Sequence, residues 1–154
     1  MKVFIELEGL KEMVKGLDNL SDAAHNRIIR NASRVGATRV RKALQAAAPV
    51  GLVKSQASQK HGSLKSNIRV SQSRVDRRVY VVSTGDAFWG GFLESGTGRY
   101  NVNPGPKAKG EGARTHIRPT YWFSRAVEQV RPVAEQAMVD NVRKSILREV
   151  AKLK

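Results

Sequence analysis

The stretch from Asp22 to Ala48, DAAHNRIIRNASRVGATRVRKALQAAA, decides how the chain is organised. Ile28, Ala32, Val35, Val40, Ala43, Leu44 and Ala47 recur at helical spacing and trace one apolar stripe. Ser21 or Asp22 fits an N-cap at its start. Pro49 stops it, because proline cannot continue the hydrogen-bond ladder. The pattern predicts one helix over residues 22–48, roughly 40 Å long at about 1.5 Å per residue. Arg27, Arg30, Arg34, Arg41 and Lys42 lie largely on its other side. Two readings of these cations stand side by side: a solvated face, or a face that meets an anionic partner.

Upstream, Val3, Ile5 and Leu7 alternate with Phe4, Glu6 and Glu8, predicting a short strand that Gly9 ends. Leu10, Met13, Val14, Leu17 and Leu20 then return to helical spacing. Downstream, residues 51–62 are rich in Ser, Gln, Lys and Gly and are expected to be a mobile loop. Ile68, Val70 and Val75 suggest a strand, Asp76-Arg77 a turn, and Val79 to Val82 a strand covered in part on both faces. After the turn Thr84-Gly85-Asp86 comes an apolar, aromatic segment from Ala87 to Glu94. Residues 99–116 carry Pro104, Gly105, Pro106, Gly110 and Gly112 among Lys107, Lys109 and Arg114, and are expected to be a second mobile loop. A helical pattern then runs from Trp122 through Ala126, Val130, Val133, Ala137, Val142 and Ile146 to Val150, with Pro119 suited to its start. Pro132 is expected to kink it or to begin a second helix. A single domain over residues 1–154 follows.

Composition narrows the function. The chain has 154 residues, no cysteine, and 28 Lys+Arg against 13 Asp+Glu, a net of +15. Without cysteine there is no disulfide scaffold, thiolate metal site or cysteine nucleophile. No apolar run approaches the roughly 20 residues of a membrane span. The start, Met1 to Glu6, turns acidic too soon for a signal peptide, so a soluble protein made in the cytoplasm is expected. The charge is uneven: residues 21–83 carry a net of +11. That points to an anionic neighbour.

Reaction chemistry is missing. His25, His61 and His116 have no partner at metal-ligand spacing. Gly105 and Gly110 have the spacing of a phosphate loop, but Glu111-Gly112 stands where Lys-Ser/Thr is required. Gly96-Thr97-Gly98 lacks the third glycine of a dinucleotide fingerprint. Glu94 is the only acid in an apolar stretch, and one carboxylate is not an acid–base pair; a buried structural ion pair is expected for it. No enzymatic activity, cofactor or metal is expected. Zinc fingers, RNP aromatics and helix-turn-helix spacing are equally absent. The aromatics at 88–92 and 121–123 stand apart from the basic middle, which favours phosphate contact without base readout. Their own expected role is core packing or a subunit contact.

Three segments, in this order, resemble one family. Ala46-Ala47-Ala48-Pro49-Val50-Gly51, continued by His61-Gly62-Ser63-Leu64-Lys65-Ser66-Asn67-Ile68, resembles A-P-V-x-T-G-x-L-[RK]-x-S-I. Val79-Tyr80-Val81-Val82 with Phe88-Trp89-Gly90-Gly91-Phe92-Leu93-Glu94-Ser95-Gly96-Thr97 resembles Y-V-G…Y-A-x-F-[VL]-E-[FY]-G-T. His116-Ile117-Arg118-Pro119-Thr120-Tyr121-Trp122-Phe123-Ser124-Arg125-Ala126 resembles P-A-R-P-F-[LM]-R-P-A. These are segments of the tail-completion or neck proteins of lambdoid long-tailed phages, the family around gene product ten of the head–tail connector. An insertion between Val50 and His61 and the long loop from Arg99 to Thr115 depart from its pattern, and Thr120-Tyr121 replaces the expected Phe-Leu pair.

The resemblance implies an α+β fold: a long helix packed on an antiparallel sheet, with a long C-terminal helix. It implies a structural protein of the virion, a ring, expected as a hexamer, that joins tail to head between a head–tail adaptor and a tail terminator and lets DNA pass. It implies no cofactor and no membrane. Arg27, Arg30, Arg34, Arg41, Lys42, Lys54 and Lys60 are then the expected contacts to lumen DNA or to an acidic partner. Trp89, Phe92, Glu94, Gly96, Arg118 and Tyr121 are the expected assembly contacts. The competing reading is a free, sequence-independent nucleic-acid-binding protein.

Overall fold

The computed structural model describes residues 2–4, 22–50, 56–97 and 117–151. Among them the order is β1 (Lys2–Phe4), α1 (Asp22–Ala47), α2 (Gln56–His61), α3 (Leu64–Asn67), β2 (Arg69–Gln72), β3 (Tyr80–Ser83), α4 (Trp89–Ser95) and α5 (Trp122–Ala151). The fold is α+β, with two long helices beside a small antiparallel sheet. The predicted helix of residues 10–20, the strand beyond Phe4 and the loop at 99–116 lie outside the described residues.

The decisive helix stands where its sequence puts it. Its buried positions are Ala24, Ile28, Ala32, Gly36, Ala37, Val40 and Leu44, with Ala48 just past its end. Most are four apart, and four residues overshoot a full turn by about 40°. The buried stripe therefore winds around α1 instead of running straight down it. That corrects three expected core positions: Val35 and Ala43 are half-buried and Ala47 is exposed, because they sit to the side of the winding row.

α5 lies antiparallel on α1, since residues early in one meet residues late in the other. Arg27 of α1 pairs with Glu149 of α5, and Gly36 faces Met138. A Cβ at Gly36 would overlap Sδ and Cγ of Met138, whose side chain is fully buried. Glycine inside a helix costs about 1 kcal/mol relative to alanine, and the close approach of the two helices accounts for its presence here. One end of the pair forms a separate small core of Ile28, Ala32, Met138, Val142 and Ile146. The other end joins the main core, where Val40, Leu44, Leu64, Ile68, Val82, Trp122 and Phe123 pack together. No second helix begins at Pro132, since α5 runs through it as one helix, and Val133, expected on its apolar stripe, is exposed beside it. Pro132 and Glu128, whose carbonyl loses its intrahelical donor, are both exposed, so water can serve that carbonyl.

The sheet order is β1-β3-β2, all antiparallel. Val70 opposes Val82 and Gln72 opposes Tyr80, which sets Val82, fully buried, on the face turned to the helices. Val75, expected in a strand, is instead the fully exposed tip of the β2–β3 hairpin. The expected loop at 51–62 contains α2, because Gln56 to His61 holds neither Gly, Pro nor a β-branched residue. Gly62, at φ +79°, ends α2 in the left-handed conformation that glycine adopts without strain. Ser63 then caps α3 by accepting from the Ser66 N–H at 3.1 Å. Asn67, buried, donates through Nδ2 to the carbonyls of His61 (2.6 Å) and Ser63 (2.9 Å) and locks the two short helices together.

Candidate assembly and anion-contact surfaces

The second and third sequence motifs meet in space. Glu94, near the end of α4, is buried. Its carboxylate accepts from the backbone N–H groups of Phe123 (2.8 Å) and Ser124 (3.1 Å) and from the Ser124 hydroxyl. These amides belong to the first turn of α5, where backbone donors have no intrahelical partner and the helix dipole favours a negative charge. Glu94 is thus a cap reaching in from another element. The expected ion pair is replaced by this cap, because the helix start supplies donors and positive potential without a cationic side chain.

The rest of the junction holds the two segments in register. Gly96 has φ +77° and ψ 177°, a region essentially restricted to glycine, and its N–H reaches the Phe92 carbonyl at 2.9 Å. The Thr97 N–H donates to the Ile117 carbonyl at 2.9 Å, and the Ile117 N–H returns a bond to the Thr97 hydroxyl at 2.9 Å. Thr120 donates to the Leu93 carbonyl through both its N–H (2.8 Å) and its hydroxyl (2.7 Å). Tyr121 sits at φ +51°, a strained conformation for a bulky residue, with the Arg125 guanidinium over its ring at 5.9 Å. Arg118 is exposed on the same segment. Of the six expected assembly contacts, Glu94 and Gly96 are therefore buried within the junction.

The other aromatic positions form an open patch. Phe88 and Phe92 are 60% and 47% exposed, and their rings meet edge-on at 6.0 Å. Trp89 is half-buried, packs on the main core and meets Phe88 edge-on at 5.4 Å. His61 closes the patch, with its ring 6.5 Å from Phe88. Phe88 was not singled out from the sequence. Its exposure depends on the turn Thr84–Ala87, which aims it outward one residue before Trp89 turns in.

The cations sort into three kinds. At 100° per residue, Arg27, Arg30, Arg34 and Arg41 fall within about 60° of one another on α1. Arg30 and Arg34 are exposed, and so is Lys42 to one side of them. Arg27 is held by Glu149 at 2.6 Å, an internal tie between α1 and α5. Arg41 is half-buried, with Nε shielded and unpartnered, because the winding core stripe approaches the arginine row toward the end of α1. Lys60 is exposed beside the aromatic patch, and Lys54 lies outside the described residues. Sequence reading missed Arg39, Lys65, Arg69, Arg74 and Arg77, all exposed. None of these five is in an ion pair among the described residues. The signal that would have found them is the scarcity of acids: Asp22 is the only one between Ser21 and Val75.

The β2–β3 tip, Ser73 to Val79, is tightly built. The Ser73 hydroxyl accepts from the Val75 and Asp76 N–H groups at 3.2 and 3.3 Å, and the Ser73 N–H donates to the Val79 carbonyl at 2.9 Å. Asp76 accepts from the Arg78 N–H at 2.8 Å and from its guanidinium at 3.0 Å. These bonds from Arg78, the side-chain ones foremost, hold the Asp76 carboxyl below its ordinary range.

No group of three or more His, Cys, Asp or Glu able to hold a metal occurs among the described residues. No helix among them is long and apolar enough to cross a membrane. A family model described as "Bacteriophage HK97-gp10, putative tail-component" matches residues 11–109. Comparison with curated proteins and with solved structures finds no match. The matched range covers the first two motifs in full; the third, at 116–126, lies beyond it. The family match spans nearly two thirds of the chain, which belongs to the HK97 gp10-like family of phage tail components. A tail component is a structural part of the virion.

Proposed function

We propose that this member of the gp10-like family is a non-enzymatic neck protein, a ring-forming tail-completion component that joins tail to head and lets DNA pass. The observation that carries the reading is the pairing of a tail-component family with an uncompensated basic surface. Arg30, Arg34, Arg39 and Lys42 project from α1 without an ion pair among the described residues. A duplex threading a lumen offers phosphates in every register and no fixed sequence. Guanidinium and ammonium groups meet that need without a base-reading element. The resemblance implies a hexamer between adaptor and terminator rings, and a head-to-tail contact that closes gives such a ring. Deleting the gene from the phage that carries it tests the reading. DNA-filled heads and finished tails that accumulate unjoined are expected; joined, infectious particles would overturn it.

A further inference from the structure

The hairpin tip and the aromatic patch are two unsatisfied surfaces of opposite character. At the tip, Val75 is 99% exposed between Arg74 and Arg77, both exposed and in no ion pair among the described residues. An apolar side chain so placed contributes nothing to this chain's own core, while the bonds of Ser73 and Asp76 hold it in one conformation. The patch offers the exposed rings of Phe88 and Phe92, and Asp86, also exposed, precedes Phe88 by two residues. An aromatic face attracts a guanidinium, and Asp86 offsets the charge of Lys60 beside the same patch and gives an arginine a carboxylate to meet.

The two surfaces are kept apart by the sheet. The β2–β3 ladder runs from the Arg69–Ser83 pair to the Gln72–Tyr80 pair, with the tip beyond the second and the Thr84–Phe88 turn beyond the first. A tip cannot fold back onto the patch of its own chain across that ladder, roughly 10 Å long at about 3.4 Å per residue. Complementary surfaces at opposite ends of the β2–β3 ladder suit a head-to-tail contact between copies.

We propose that the β2–β3 tip of one copy docks on the aromatic patch of the next, with Val75 against Phe88 and Phe92 and with Arg74 and Arg77 against the rings and Asp86. This rests on the ring reading above and names the surfaces that would make the ring. The preformed tip loses little conformational freedom on docking.

The chain has no native cysteine, so introduced thiols report the contact cleanly. Val75→Cys protein is mixed with Phe88→Cys protein under mild oxidation, and each is oxidised alone. A disulfide-linked pair is expected in the mixture and not in either variant alone. Arg74→Glu with Arg77→Glu should lower its yield roughly tenfold, and adding Asp86→Lys in the partner should restore it. Circular dichroism of each variant checks folding. Light scattering of the unmodified protein separates the two claims. A closed oligomer without the mixed disulfide overturns the proposed surfaces and leaves the ring. Coupling of Val75→Cys to itself points to a two-fold contact and overturns them as well, and so does a failure of the charge-swapped pair to recover. Monomers with no mixed disulfide at the highest soluble concentration count against both.

Discussion

At the scale of single residues, Glu94 has the largest consequence. One carboxylate takes up two of the donors that the start of α5 leaves unpaired and holds α4 against it. Glu94→Ala should destabilise the chain by about 2–4 kcal/mol, because it removes charged hydrogen bonds and strands buried amides. Glu94→Gln should cost less, keeping one acceptor oxygen while turning a donor toward donors. Urea denaturation measures both, and equal stability of all three proteins would mean that α5 needs no cap from α4. Gly96→Ala adds a Cβ in a region essentially closed to other residues and should cost about 1–3 kcal/mol on the same assay. The sequence made Glu94 conspicuous, as the one acid among Phe88, Trp89, Phe92 and Leu93. Its partners were not legible, because Phe123 and Ser124 lie some thirty positions onward and offer backbone amides, which no residue type announces.

At the scale of elements, α1 was legible almost to the residue, since its apolar spacing, N-terminal acid and terminal proline all agree. Its fine burial pattern was not. Val35 and Ala43 match helical spacing as well as Gly36 does, and only the position of α5 selects the winding row. Gly36→Ala tests that row. Helix propensity favours the change, but the overlap with Met138 should make it destabilising by about 1–3 kcal/mol. A thermal melt that rises would mean that α1 and α5 are farther apart than described. The β2–β3 tip gives a pH prediction. The Asp76 carboxyl is lowered from 3.8 by Arg78, so the stabilisation it brings is complete above that value and is lost as pH falls through the lowered one. Hydrogen exchange at the Arg78 amide should therefore show protection steady at neutral pH and falling in strong acid. Asp76→Ala should remove the extra protection at neutral pH and leave the Arg78 amide without the acid-dependent change. Here the sequence showed the turn at Asp76-Arg77 but not that Ser73 and Asp76 brace it, since such turns depend on side-chain reach rather than periodicity.

At the scale of the whole molecule, the +15 divides into cations that hold the fold and cations that face outward. Arg27 and Arg78 belong to the first group through Glu149 and Asp76, whereas Arg30, Arg34, Arg74 and Arg77 belong to the second. Arg30→Glu with Arg34→Glu should leave stability within about 0.5 kcal/mol, as exposed changes do, while lowering the yield of infectious particles. A large loss of stability would move these two arginines into the first group. The direction of the charge argument was open to sequence reading; its division was not, because pairing depends on which acids α5 brings alongside α1. The family match and the α+β architecture agree with the resemblance carried by the first two motifs, and the ring remains the central claim. Electron microscopy of purified virions with this chain labelled tests it most directly. The account predicts label in a symmetric ring where the tail meets the head. Label absent from virions, with the chain recovered on nucleic acid in the lysate, would contradict it.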